Sequence, residues 1–263
     1  MSGPLRFELA ELIREVDLMR GLAAGFLEPD AVGVLFNLRE QLETLKYRNC
    51  DHTMLIGVDP QRPIGTIACN GGYERNEGGT HKNLFGELLF KWELRPLGAA
   101  SKKRAAKRQV EVAGTASTVA RLRIEHDGHI VDLASWRMEF GACDSPGAFF
   151  HSQIPDTLGA SDQQDGPEHP FRMWPTWLPV PRLPIPALTP MLALEFVLAE
   201  IFQDRWPEHL ASGVYEANQW RTLQQRRFVR YFEWQKANAE KSGKGSPLLA
   251  TKVAKPASDM FLE

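Results

Sequence analysis

Apolar residues spaced three and four apart open the chain. Leu5, Leu9, Leu12, Val16 and Met19 recur among charged residues as far as Gly21, the stripe of an amphipathic helix with a glycine placed to end it in a left-handed conformation. A second stripe, Ala31, Val34, Leu35, Leu38, Leu42 and Leu45, follows Pro29, whose fixed φ suits a first helical turn. Residues 4–47 are therefore expected to form a helical pair whose stripes meet a core.

From Asp51 the period shifts towards two. Thr53 to Val58 and Ile64 to Cys69 read as short strands joined by a loop with two prolines. Leu84 to Leu97 is the clearest strand, with Leu88, Phe90, Trp92 and Leu94 alternating with Glu87, Leu89, Lys91, Glu93 and Arg95. Val110 to Thr115, Val119 to Glu125, Ile130 to Phe140 and Phe149 to Ile154 continue the alternation. Lys102 to Arg108 and the two-residue hairpin signal Asp127-Gly128 supply reversals. About seven successive strands over residues 51–155, without intervening helices, imply a mostly antiparallel meander.

Eight prolines between 167 and 190 then interrupt the pattern. Their spacing forbids regular ladders, while Trp174, Trp177, Leu178, Val180, Leu183 and Ile185 make the stretch too apolar for a solvated linker. A proline-rich strap packed across the sheet or helices is expected. Thr189 as cap and Pro190 as first residue open an apolar helix running to Trp206, whose polar remainder includes Glu195, Glu200 and Asp204. A last helix spans about Asn218 to Lys236, with Arg226, Arg227 and Arg230 on its polar side facing that acidic neighbour. The two are read as an antiparallel hairpin over residues 190–240. The fold class is α+β, one domain over 1–241, with residues 242–263, rich in Lys, Ser, Gly and Pro, as a disordered tail.

Composition narrows the class of protein more than the function. Of 263 residues, 43% are apolar and 24% charged, with a formal charge of −2, so no global field favours nucleic acid and only local patches remain. The first residues, with Glu8, Glu11 and Glu15, lack the basic start and apolar block of a signal peptide, and no apolar run nears the roughly 18 to 20 residues that span a bilayer. A cytoplasmic protein without membrane contact is expected. Cys50, Cys69 and Cys143 are odd in number and widely spaced, so they are read as free thiols and not as a disulfide or zinc framework. The loop 70–79 has four glycines but no following Gly-Lys-Ser/Thr, and no cofactor is implied.

The densest reactive stretch is Trp136 to Ile154, where Pro146-Gly147 forms a turn and Glu139, Cys143, Asp144 and His151 lie close in sequence. A four-residue turn Ser145 to Ala148 would set Ala142 opposite His151 and place His151 on the face of Asp144. Glu139 and Cys143 would then point the other way unless Gly141 bulges. His151, Asp144 and Glu139 are the candidate catalytic residues. His126, Asp127 and His129 offer two imidazoles without a full ligand set, and no metal site is assigned. Lys102, Lys103, Arg104, Lys107 and Arg108 form the candidate nucleic-acid or anion patch.

With no complete catalytic constellation, the leading expectation is a non-enzymatic interaction or adaptor protein, partnered by another protein. Two alternatives stand beside it. One is a hydrolase of a phosphorylated or nucleic-acid substrate with His151 as general base; the other is a nucleic-acid-binding protein using the basic hairpin 102–108.

Overall fold

The computed structural model describes residues 6–48, 52–69, 84–98, 107–126, 129–140, 150–153, 183–184, 189–202 and 205–241. Their strands are β1 (Arg6–Glu8), β2 (Met54–Gly57), β3 (Ile64–Gly65), β4 (Leu84–Pro96), β5 (Gln109–His126), β6 (His129–Phe140), β7 (Phe150–Gln153) and β8 (Leu183–Pro184). The helices are α1 (Leu9–Leu22), α2 (Pro29–Thr44), α3 (Pro190–Ile201), α4 (Arg205–Ala211) and α5 (Tyr215–Lys241). The fold is α+β. Its strands form one antiparallel sheet in the order β2-β4-β5-β6-β7-β8, with β3 beside β2 on the outer side of β4 and β1 paired to the start of β5.

The alternation along β4 decides what the sheet buries. Leu84, Leu88, Phe90, Trp92 and Leu94 are all buried on one face, against α1 and α3, whose stripes they complete. At about 25 cal/mol per Å² of apolar surface removed from water, such a face is the main stabilising contribution of the sheet. Trp92 adds direction: its indole N–H donates to Thr118 Oγ1 at 3.1 Å and its ring meets Phe7 at 5.8 Å. The outer edge is also closed. Gln41 of α2 donates to Gly57 O at 3.3 Å and accepts from Gly57 N at 3.1 Å, so a side-chain amide satisfies edge groups that would otherwise invite another strand.

Several boundaries differ from the sequence reading, each for a tertiary reason. There are eight strands in place of seven. Arg6–Glu8 pairs with Glu111, Val110 and Gln109, so α1 starts only at Leu9, and Gly21 lies inside it instead of ending it. The expected strands 110–115 and 119–125 are one strand, β5, because residues 113–115 are accommodated opposite Glu93 as an irregularity between the pairs Trp92↔Ala116 and Leu94↔Val112. Within the strap region Leu183–Pro184 pairs with β7; proline forbids a central ladder but permits this two-residue edge strand. The rest of the expected strap, residues 167–182 and 185–188, and the tail 242–263 lie outside the described residues.

The apolar helix after Thr189 also divides. Phe202 leaves helical geometry at φ −103°, ψ 28°, yet Trp206 N still donates to Phe202 O at 2.9 Å. Four residues apart, Phe202 and Trp206 stay on one side of the chain and, both about 1% exposed, meet the same ring of Phe26 at 5.0 and 5.3 Å.

Candidate functional site

The face of the sheet opposite the core carries the charged residues, and its registers place them in rows. Lys91 pairs with Ser117, Ser117 with Glu139, Glu139 with His151 and His151 with Pro184. One row thus crosses five strands with four polar positions. The neighbouring row is Leu89, Val119, Arg137 and Gln153, and the next holds Glu87, Arg121 and Ser135. The register of β6 with β7 differs from that of the expected four-residue turn by an odd number of positions, which exchanges the faces. Ala142 is therefore not the partner of His151; Glu139 is. Asp144 and Cys143 lie outside the described residues.

Much of this face neutralises itself. Arg123 donates to Glu87 at 2.7 Å and to Asp132 at 2.6 Å. Burial by itself would lower the Arg123 pKa, but its hydrogen bonds and attraction to Glu87 and Asp132 prevail and hold it above the ordinary arginine value. Asp132 reaches this face because Leu133 is an extra residue between the pairs Leu122↔Ala134 and Arg123↔Asp132; such a bulge rotates the following side chains to the other face. Arg95 pairs likewise with Glu111, which is almost fully buried. Lys91 and Arg121 make no ion pair among the described residues. Among the described residues no strand joins β2 to β8.

The basic hairpin is divided by the fold. Lys102, Lys103 and Arg104 lie outside the described residues, and Lys107 is exposed. Arg108 is only 5% exposed. Its guanidinium donates to the carbonyl oxygens of Lys46 at 2.6 Å, Gly98 at 3.2 Å and Arg48, which ties the end of α2 to the β4–β5 turn. Those bonds engage Nη1 and Nη2 of a side chain that is almost wholly buried, so it is not part of an exposed basic patch. Of the imidazoles considered for metal, the register sets His126 opposite His129, and no group of three or more His, Cys, Asp or Glu residues suited to a metal occurs among the described residues.

A buried polar cluster that the sequence pattern did not reveal joins α1, α3 and α5. Glu15, about 1% exposed, accepts from Thr189 Oγ1 at 3.0 Å, from Gln224 Nε2 at 2.6 Å and from Arg227 Nη1. The Thr189 hydroxyl also accepts from Leu192 N at 3.3 Å, so one side chain caps α3 and binds the carboxylate. Burial pushes the Arg227 guanidinium down to about 10; Glu11 opposes this and Arg230 adds to it. The signal was present in the spacing. Arg227 falls four residues after Leu223 and seven after Trp220, on the apolar stripe of α5, though it stands beside the exposed Arg226.

Arg227 and Arg230 of α5 therefore face α1 and not the acidic residues of α3. Arg230 pairs with Glu8 at 3.2 Å and with Glu11. Glu195 instead accepts from Trp220 Nε1 at 2.9 Å. Burial raises the Glu195 pKa, and the indole hydrogen bond offsets part of the rise. With a folded pKa above the unfolded one, the native state binds the extra proton, and stability falls as pH rises through that window. Glu195→Gln, which keeps an acceptor for Trp220, is expected to raise Tm by up to about 3 °C at pH 7. Near pH 4 the gain should vanish, because Glu195 is then protonated. Thermal unfolding by circular dichroism at both pH values checks this; equal gains at both would remove the buried charge as the cause.

A cavity of about 30 Å³ lies between α1, α2 and the core face, walled by Leu12, Val16, Leu42, Phe90 and Met191, with Glu15 the one ionisable residue in its wall. It has room for about one or two waters and is far smaller than the roughly 300 Å³ of the smallest typical ligand sites. It belongs to the core. No known family, curated protein or solved structure matches this chain. No helix among the described residues is long and apolar enough to cross a membrane. What can be assigned is thus a class, an α+β protein with a self-neutralised polar sheet face and a buried ionic joint between its terminal helices.

Proposed function

We propose that the polar sheet face acts on a phosphorylated substrate, with His151 as general base and Glu139 orienting its ring. The supporting observation is the register that sets Glu139 opposite His151 in one row with Ser117 and Lys91. His151 would take the proton of an attacking water as its oxygen bonds to phosphorus and the ester P–O bond breaks, the departing alkoxide then taking that proton from the imidazolium, while Lys91 and Ser117 engage phosphoryl oxygens. p-Nitrophenyl phosphate, a nucleoside monophosphate and a sugar phosphate should be assayed with the full chain. His151→Gln and Glu139→Gln are each expected to lower kcat by about 10²-fold or more, and Lys91→Ala to raise KM with little change in kcat. Absence of turnover on all three substrates, or turnover indifferent to His151→Gln, sinks this reading.

A second reading, a cytosolic interaction or adaptor protein, is supported by the outer face of α5, where Val229 and Phe232 are each 56% exposed. An exposed apolar pair on a helix is a common anchor for another helix. Here Val229→Glu should abolish captured partners while His151→Ala leaves them; the same set captured by both variants would count against it.

A further inference from the structure

We infer that the outer face of α5 is a contact between two copies of this chain, arranged antiparallel about a two-fold axis passing beside Val229. The inference rests on the interaction reading and is independent of the sheet-face site. α5 has two opposite stripes. Ala217, Trp220, Leu223, Arg227, Tyr231 and Trp234 are buried and hold the helix to the body of the protein through α1. At 100° per residue, Val229 stands diametrically opposite their centre. Phe232 lies one turn on, its ring stacked on Phe228 at 6.3 Å and 25°, so the exposed ring is held ready and loses little freedom on contact.

The charges around this pair specify orientation. Arg226 and Glu233 are exposed and make no ion pair among the described residues, in contrast to Arg227 and Arg230. They are two turns apart on one flank of the stripe, on either side of Val229. A two-fold axis perpendicular to the helices brings like flank to like flank with the chain direction reversed. Arg226 of each copy then lies beside Glu233 of the other, Val229 beside Val229, and Phe232 over the second copy's Gln225 and Val229. Parallel pairing, about an axis along the helices, would instead set this flank against the opposite one, placing Arg226 beside Gln225 and Glu233 beside Phe232 and leaving both charges without an opposite partner.

Size sets the strength. The stripe from Thr222 to Lys236 covers only about 22 Å of helix, a face on the order of 200–300 Å² at a helix width of about 10–12 Å, well short of the roughly 800 Å² per partner of a stable interface. The dimer is therefore weak, with a Kd on the order of 100 µM, and forms where the local concentration is high.

Sedimentation equilibrium of the full chain from about 10 µM to about 1 mM tests it. A monomer–dimer equilibrium is expected. Val229→Glu should raise Kd at least tenfold, and Arg226→Glu by about five- to twentyfold. The exchange Arg226→Glu with Glu233→Arg should return Kd to within about twofold of the unaltered chain. All three positions are solvent-exposed, so circular dichroism should show unchanged folding. A monomer throughout the range, a dimer indifferent to Val229→Glu, or failure of the charge exchange to restore Kd overturns the proposal. A monomer that still captures another protein through Val229 overturns the dimer and leaves the interaction reading standing.

Discussion

Arg227→Met is expected to destabilise the protein by about 3–5 kcal/mol, the largest single-residue effect the structure implies. Removal of the guanidinium leaves Glu15 about 1% exposed with only Thr189 and Gln224 donating to it. Three donors, Thr189 capping α3 and Gln224 and Arg227 of α5, meet at that one carboxylate of α1, so its loss of compensation loosens the joint between the N-terminal and C-terminal helices. The double variant Glu15→Leu with Arg227→Met removes both charges and should recover most of the loss, since a buried ion pair replaced by well-packed apolar groups is often neutral or better. In the single variant the defect should shrink as pH falls, because a lone buried carboxylate relieves its desolvation by taking a proton. Urea unfolding of the two variants and the unaltered chain at pH 5 and pH 8 measures this. A double variant as unstable as Arg227→Met would show that the cluster stabilises through its hydrogen-bond geometry and not through charge compensation.

Gly86→Val should follow, with a cost of about 1–3 kcal/mol or more. A Cβ at Gly86 would lie 2.4 Å from Val197 Cγ1 and 2.5 Å from Ile201 Cδ1. Both belong to α3, which packs across β4 at this point. The helix must lift or its side chains must leave their rotamers, and either response opens the core beside Leu88 and Leu198. The smaller Gly86→Ala variant should be partly rescued by Val197→Ala, which removes the nearest methyl group. Thermal unfolding of the cycle decides it: additive losses would show that the crowding is not between these two positions. The same contact explains why a glycine interrupts an otherwise well-formed β4, where it would normally weaken a strand.

Both effects concern positions whose meaning was only half visible along the chain. Gly86 reads as a blemish in an alternating strand until α3 is laid across it. Arg227 reads as one of three solvent-facing arginines, although its spacing from Trp220 and Leu223 puts it on the buried stripe. Arg108 is similar, since a cation at a hairpin end gives no sign that three carbonyl oxygens enclose it. In each case a local rule, that charge faces water or that glycine belongs in turns, yields to a partner more than thirty residues away. The candidate site shows the same division. His151 and Glu139 were recognisable as residues, but their pairing depended on strand register, which an odd shift reverses completely.

Periodicity and local residue type determined the α+β class, the helical stripes, the core face of β4, the cap at Thr189 and the antiparallel order of the central strands, because these follow from repeats of 3.6 and 2 and from the Thr-Pro pair that each segment carries within itself. Tertiary structure decided which strands bulge, that Leu133 turns Asp132 towards Arg123, that Phe202 and Trp206 meet on the ring of Phe26, and that Glu15 and Arg227 meet. These depend on contacts between segments far apart in sequence, where the cost of a buried charge or an unfilled space is set by what the distant segment brings to it.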